Sequence, residues 1–376
     1  MKKRLTIISH TEHYINDRGE VVGLNSTVTE INHLLEIFDE INHVAMLHKS
    51  LAPPNTKAYS SNKIKFIPLH ALGGKDVKSK LKLVFSIPFV INQIRKTLKQ
   101  TDYFQFRAPT GIGVFVIPYL LFSKKKGWFK YAGNWQQYNA PLAYQFQRWL
   151  LKKSNRLVTI NGVWNNQPEQ CKSFENPCLT LDELKLGEEC ISNKKFNKSS
   201  INFCFVGRLE DEKGMNLLIN AFLNLDKNNK AKIGVIHIVG KGSKMNHYKA
   251  ISEASDLTFI FHNTLSREAV HAIYKVSNAI ILPSASEGFP KVIAEAINYG
   301  CLPIVSNVSS ISQYVKNEIN GLLLNTISEE GLLEQLVKFL NFNVIDYFTM
   351  LQSSEHKLNK FTYEYYNNRI KNYILS

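Results

Sequence analysis

The sequence predicts an α/β protein built of two doubly wound domains. Three observations carry that prediction. The chain has 376 residues, which suits two domains of roughly 100–200 residues each. In its second half, short apolar runs alternate with helix-length segments, the pattern of right-handed βαβ units around a mostly parallel sheet. Those runs are apolar throughout rather than alternating, as expected of strands covered on both faces.

The second half gives strands at 201–206, 233–239, 257–261, 278–282, 302–306 and 321–324, with helices between them at 214–225, 243–254, 266–277, 289–299, 308–316 and 328–340. The first half follows the same grammar, with strands at 4–9, 43–48, 64–69, 102–106, 128–132 and 156–160. A helix is expected from Thr27, where "TVTE" fits a capping box with Glu30 three residues on. Ile31, Leu34, Leu35, Phe38 and Ile41 mark its apolar face. Further helices are expected at 79–99 and 141–153. The stretch 164–199 is polar and without periodicity, so it reads as a linker with the domain boundary near its end. The domains are therefore expected at 1–195 and 196–360, with a terminal helix at about 361–376 packing back on the first. Ligands of open α/β sheets bind beyond the carboxyl ends of the strands, here in a cleft expected between the domains.

Composition bounds the class. At 44% hydrophobic and 20% charged residues, the chain reads as an ordinary globular protein. Its five cysteines show no CxxC pair and no metal-ligand spacing, which fits free thiols in a reducing compartment. The apolar runs at 83–91 and 111–122 fall short of the roughly 20 residues that span a bilayer. A cytoplasmic protein is expected. Residues 1–200 carry 29 Lys and Arg against 15 Asp and Glu, whereas residues 201–376 carry 17 against 16. Such asymmetry speaks of partners rather than fold. A phosphate-bearing substrate or an anionic membrane surface fits it, the latter through the basic, amphipathic stretch 75–96. Nucleic acid is not expected: no RNP, KH or zinc motif occurs, and the loops suited to phosphate lie in the neutral half.

Those loops follow the strands of the second half. After 201–206 come Gly207, Arg208 and then Lys213 with Gly214 at a helix start. Glycine allows close backbone approach, the two cations attract phosphate, and a helix N-terminus offers free N–H groups. Gly240, Lys241 and Gly242 make a second small turn. After 278–282 comes "PSASEGFPKVIAEA", with Pro290 fitting the first turn of a helix. Glu287 lies in the loop before that helix and Glu295 on it. Carboxylates accept hydrogen bonds in pairs and suit vicinal diols, so the two acids could hold two sugar rings of one ligand.

The motifs "VGRLEDEKG", "IVGKG", "LPSASEGFPKVIAEA" and "GCLPIVSNVSSISQYVKNEINGLLL" occur in this order and resemble retaining glycosyltransferases of family 4, the group 1 glycosyl transferases. That family has the GT-B fold, two Rossmann-like domains facing across a cleft, with the nucleotide-sugar donor bound mainly by the C-terminal one. The resemblance implies that Arg208 and Lys213 grip the donor diphosphate beside Gly207 and Gly240. It implies that Glu287 meets the transferred sugar, helped by backbone N–H groups around Gly288, Phe289 and Pro290, and that Glu295 binds the ribose. It further implies α-retaining transfer without a metal or other cofactor, to a saccharide or polyprenyl-diphosphate-linked acceptor, in bacterial surface polysaccharide or glycolipid assembly.

The first half resembles the family less. Gly19 and Gly23 are candidates for a glycine-bearing loop after the first strand. No histidine occurs between His70 and His237, where members carry an active-site His; Asn134 in "YAGNW" is a candidate replacement. His10 and Arg107, at strand ends, are further acceptor-side candidates. A sugar-nucleotide epimerase of the same fold and, from another class, a basic nucleic-acid-binding protein or a catalytically inactive binding homologue remain open alternatives.

Overall fold

The computed structural model describes residues 2–74, 76–353 and 355–376. The chain divides into two compact units, residues 1–176 with 363–376, and residues 177–362. Among the described residues, no helix is long and apolar enough to cross a membrane.

The first unit holds strands β1 (Arg4–Ile15), β2 (Val21–Leu24), β3 (Glu40–Leu47), β4 (Thr56–Ala58), β5 (Ile64–His70), β6 (Tyr103–Ala108), β7 (Lys126–Tyr131), β8 (Val158–Ile160) and β9 (Cys171–Ser173). Its helices are α1 (Asn25–His33), α2 (Val77–Phe85), α3 (Ile87–Leu98), α4 (Gly113–Leu121) and α5 (Leu142–Lys153). The parallel ladder runs β5-β3-β1-β6-β7-β8-β9. β1 alternates its side chains between two cores: Leu5 and Ile7 face one, Ile8 the other.

Two expectations are corrected here. The first strand does not end at Ser9. It continues through His10 and His13, with a register shift between Ile8 and Glu12, and forms an antiparallel hairpin with β2. Gly19 sits in the hairpin turn at φ +74°, and Gly23 lies in β2, packed against the His13 ring. The expected helix at 79–99 breaks at Ser86, whose hydroxyl donates back to the Leu83 carbonyl at 2.6 Å.

The capping box at Thr27 is also absent. α1 starts at Asn25, with Leu24 at its N-cap and no side-chain cap. Glu30 instead turns into the core, where Arg107 Nη2 reaches it at 3.0 Å and Lys130 Nζ at 2.6 Å. Two largely enclosed cations win over one backbone N–H at the partly exposed Thr27, because an ion at low dielectric must find its counter-ion.

The second unit is simpler. Strands β10 (Ile201–Val206), β11 (Ile233–Val239), β12 (Thr258–His262), β13 (Ala279–Leu282), β14 (Leu302–Ser306) and β15 (Leu322–Leu324) form one parallel sheet in the order β12-β11-β10-β13-β14-β15. Its helices are α6 (Leu181–Ser192), α7 (Met215–Leu223), α8 (Lys227–Lys230), α9 (Met245–Glu253), α10 (Arg267–Val276), α11 (Lys291–Asn298), α12 (Ile311–Tyr314), α13 (Glu329–Leu340) and α14 (Val344–Gln352). Phe203 and Phe205 of β10 enter the larger core with Leu218, Phe222 and Leu336, while Cys204 faces Tyr274, Ala296 and Tyr299 across the sheet. Both faces are thus covered, which is why these strands read as unbroken apolar runs.

The boundary lies at Asn176/Pro177 rather than near 195. The expected linker contains α6, held by a full capping box between Thr180 and Glu183. Gly187 lets α6 cross α11 so closely that a Cβ there would overlap the Asn298 carbonyl oxygen. That glycine interrupts the periodicity, which is why the segment reads as a linker. The last helix, α15 (Tyr363–Tyr373), belongs to the first unit, placing Tyr366 and Ile370 in its core.

The first unit also buries a polar chain. Ser9 Oγ meets His43 Nε2 at 2.8 Å, His43 Nδ1 meets the Tyr59 hydroxyl at 2.6 Å, and that hydroxyl meets His13 Nε2 at 2.8 Å. Burial pushes His13 down to about 4 and holds His43 well below its ordinary value, with the charge of Arg107 adding to the latter. Both rings are neutral when folded and protonate more readily when unfolded. Their contribution is therefore present above pH ~6.5 and lost as pH falls toward 4, by roughly 3 kcal/mol for His13 alone. Thermal unfolding between pH 7.5 and 4.5 should show Tm falling with pH, and less steeply in His13→Gln.

Candidate active site

In the second unit, the chain-order first and fourth strands, β10 and β13, are neighbours at the centre of the sheet, with later strands on one side and the second and third on the other. This is a topological switch point. The connections from β10 and β13 leave the sheet toward opposite faces and open a crevice at the strands' carboxyl ends. The loops quoted from the sequence are the ones that follow these two strands and β11.

They meet at contacts only glycine allows. Gly214 stands at φ +76°, and a Cβ there would overlap the Pro283 carbonyl oxygen. Gly240, at φ +142°, faces the Gly207 carbonyl, and Gly242 faces that of Leu209, each too close for a side chain. Ala285 N–H donates to the Glu212 carbonyl at 3.0 Å, tying the β13 loop to the β10 loop. Lys213 is thereby brought onto Glu287, and the two form an ion pair. Their side chains keep only 19% and 12% exposure.

Glu287, Gly288 and Phe289 lead into α11. Among the described residues, their backbone N–H groups find no protein acceptor. Three unused donors before a helix N-terminus are suited to an oxyanion or a sugar hydroxyl. The Gly288 carbonyl is held by Ser310 Oγ at 3.2 Å. The Phe289 ring packs on Tyr314 and Phe361, with centroids 4.7 and 4.8 Å away. Phe289 therefore anchors the loop with its ring and offers the ligand only its backbone. Pro290 is the N-cap of α11, one position earlier than its expected place in the first turn.

The other candidates stand as follows. Arg208 is mostly exposed and pairs with Glu210 at 3.4 Å, apart from the Lys213–Glu287 pair. Glu295 is buried and receives Arg267 Nη1 at 2.7 Å, a partner that sequence reasoning missed. Nothing in the local pattern flags Arg267, because it lies 28 residues away in sequence. In the first unit, His10 Nε2 bonds the Leu72 carbonyl at 2.6 Å, leaving a buried Nδ1 without a partner among the described residues. That contact makes Nε2 the protonated nitrogen and Nδ1 the lone-pair acceptor. Gly111 stands beside the ring, at the loop after β6. Arg107 is engaged by Glu30 and, at 3.0 Å, by Gln105, so its guanidinium serves the core network. Asn134 Oδ1 accepts from Gln136 N–H at 3.0 Å and closes its own turn. Gly23 supports the hairpin, as described.

Residues 188–355, most of the second unit, match the family of glycosyl transferases group 1. The chain is 31% identical over 172 residues to the UDP-Gal:alpha-D-GlcNAc-diphosphoundecaprenol alpha-1,3-galactosyltransferase of Escherichia coli, a match covering 45% of this chain and 43% of that protein. The chain thus spans less than half the length of this curated relative. Solved structures match along the whole chain. Sucrose-phosphate synthase from Thermosynechococcus elongatus aligns with a TM-score of 0.73 at 14% identity, covering 99% and 98% of the two chains. Anabaena HepE in complex with UDP and glucose aligns with a TM-score of 0.69 at 12% identity, covering both chains fully at 100%. At such identity the likeness gives the fold, which is GT-B.

The glycine contacts make a sharp prediction. Gly19→Ala should cost about 1–2 kcal/mol, the price of a left-handed backbone alone, since nothing lies within 4 Å of its Cβ. Gly240→Ala adds a steric overlap and should cost roughly 3 kcal/mol or more. Chemical denaturation of both variants measures the difference.

Proposed function

We propose that the chain is a glycosyltransferase moving a sugar from a nucleotide-diphosphate sugar to a saccharide or lipid-linked acceptor, with retention of the α configuration. The observation that carries this reading is the meeting of Lys213, Glu287 and three free backbone N–H groups at the switch point of a group 1 glycosyl transferase domain. Lys213 and the start of α7 would hold the diphosphate, with Arg208 swinging in from its surface pair. Glu287 and the N–H groups of Gly288 and Phe289 would hold the transferred sugar, and Glu295 the ribose.

Chemically, negative charge grows on the departing diphosphate as the glycosidic bond breaks. The helix N-terminus is in place to receive it, and Lys213 would join it on leaving Glu287, an arrangement that lowers such a barrier. The diphosphate oxygen on the leaving side then helps take the acceptor proton, and the proposal invokes no metal. On the acceptor side, His10 offers Nδ1 as a neutral acceptor, since burial lowers its pKa against the opposing effect of the Leu72 hydrogen bond.

The E. coli relative acts on a diphosphoundecaprenol-linked sugar, which supports a lipid-linked acceptor here and a place in surface polysaccharide or glycolipid assembly. The first unit adds its own support. Between Val77 and Pro168 stand 15 Lys and Arg but a single acid, Asp102. Within that stretch α5 exposes Leu142, Phe146 and Trp149 at i, i+4 and i+7, and α2 exposes Leu81, Val84 and Phe85. Apolar side chains among an excess of cations suit an anionic membrane surface, and the proposal puts the protein peripherally on the cytoplasmic face.

Two experiments test the reading. A thermal-shift panel of UDP-, GDP- and ADP-sugars should show one base family raising Tm; with that donor, Glu287→Ala and Glu295→Ala should each lower transfer about 100-fold or more. Full activity in either folded variant would remove that residue from the site. Sedimentation with vesicles should show binding to anionic but not to zwitterionic lipid, weakened by salt and by Phe146→Ser with Trp149→Ser. Equal recovery with both lipids would refute the membrane surface.

A further inference from the structure

We infer that Arg267 is a positioning residue: it fixes the Glu295 carboxylate for the ribose and thereby sets discrimination between ribo- and deoxyribonucleotide donors. The inference rests on the proposed contact between Glu295 and the ribose. It starts from a side chain that the motifs do not contain.

Arg267 is the first residue of α10, directly after Ser266, whose hydroxyl caps the helix. Its guanidinium joins three elements. Nη1 donates to Glu295 Oε1 on α11 at 2.7 Å. Nε and Nη2 donate to the two oxygens of Glu183 on α6, at 2.9 and 2.8 Å. Nη2 also donates to the Cys178 carbonyl. The fork-on-fork pairing with Glu183 fixes the plane of the guanidinium, which a point charge could not do. Glu183 is itself held in place, because its Oε2 accepts the Thr180 N–H at 2.9 Å in the α6 capping box. Burial disfavours the charged form of Glu183, yet Arg267 outweighs it and holds that carboxyl below its ordinary range.

The chain of orientation therefore runs from a helix cap to Glu183, to Arg267, and ends on Glu295 Oε1. Oε2 of Glu295 has no protein partner among the described residues. A carboxylate has about four lone-pair sites, so one oxygen anchored by Arg267 leaves the other aimed and free for hydroxyls. One cation stands between two carboxylates, so negative charge remains on the pair. A ribose hydroxyl, a neutral donor, would relieve that charge; a deoxyribose would leave it unmet, which is where selectivity against a missing hydroxyl arises.

The test is the ratio of affinities, which a purely structural arginine would not change. Calorimetry on the full chain would compare UDP with 2′-deoxy-UDP, or the GDP or ADP pair if that base family binds. Wild type should prefer the ribonucleotide by about tenfold or more, Glu295→Ala should abolish the preference, and Arg267→Ala should bring it within about threefold of Glu295→Ala. Arg267→Lys should recover only part of it, since lysine cannot hold Glu183 and Glu295 in one plane. Should Arg267→Ala fail to fold, Glu183→Gln serves in its place and should lower the same ratio. Loss of the preference in Glu295→Ala but a wild-type ratio in folded Arg267→Ala, or in Glu183→Gln where that variant stands in, overturns the inference alone. A wild-type ratio in Glu295→Ala removes the ribose contact itself, and the inference with it.

Discussion

Three loops at the carboxyl end of the second unit's sheet approach one another backbone to backbone, and the site depends on that approach. Gly214 lies on the Pro283 carbonyl, Gly240 on that of Gly207, and Gly242 on that of Leu209. Each contact excludes even a methyl group. The consequence is positional. With no side chains between them, the β10 and β13 loops come near enough for Lys213 to reach Glu287 and for Glu212 to receive Ala285. Larger residues would separate the loops by more than a hydrogen bond can bridge, and the cation, the acid and the free N–H groups would no longer share a site.

This explains which parts of the fold and site could be read from sequence. The second unit was legible because its sheet is buried on both faces, so every strand is an apolar run and every loop after it stands out. The glycines and Glu287 fall in those loops. In the first unit, β1 runs on into a hairpin, and His10 and His13 are strand residues whose polarity mimics a loop. Glu30 was misread because a capping box is a local rule, whereas its partners Arg107 and Lys130 are 77 and 100 residues away. Arg267 was missed for the same reason. Buried ion pairs between distant segments leave no periodic trace.

The two networks also differ in what they do. Glu30, Arg107 and Lys130 tie α1 to β6 and β7, with Lys130 lying 4.6 Å from the Tyr366 ring centroid of α15. Every charge there is enclosed by protein, and such clusters specify a packing more than they stabilise it. Glu183, Arg267 and Glu295 are somewhat more exposed, and they end on a carboxylate oxygen with no protein partner among the described residues. Under the proposed function, the second cluster ends where a ligand hydroxyl would complete it.

Charge placement completes the argument. The half that carries the excess of cations is not the half that carries the phosphate-suited loops. In the second unit nearly every cation near the site is already matched: Lys213 by Glu287, Arg208 by Glu210, Lys244 by Asp211 and Arg267 by two acids. Under the proposed function, donor binding is then an exchange. Lys213 leaves a carboxylate for a phosphate, and the same movement frees Glu287 for sugar hydroxyls. One lysine would thus couple occupation of the diphosphate site to readiness of the sugar site, and a nucleotide without its sugar would leave Glu287 without a partner for its carboxyl. Such coupling favours the intact donor over the free nucleotide through the cost of that unpaired acid, without a further contact to the sugar.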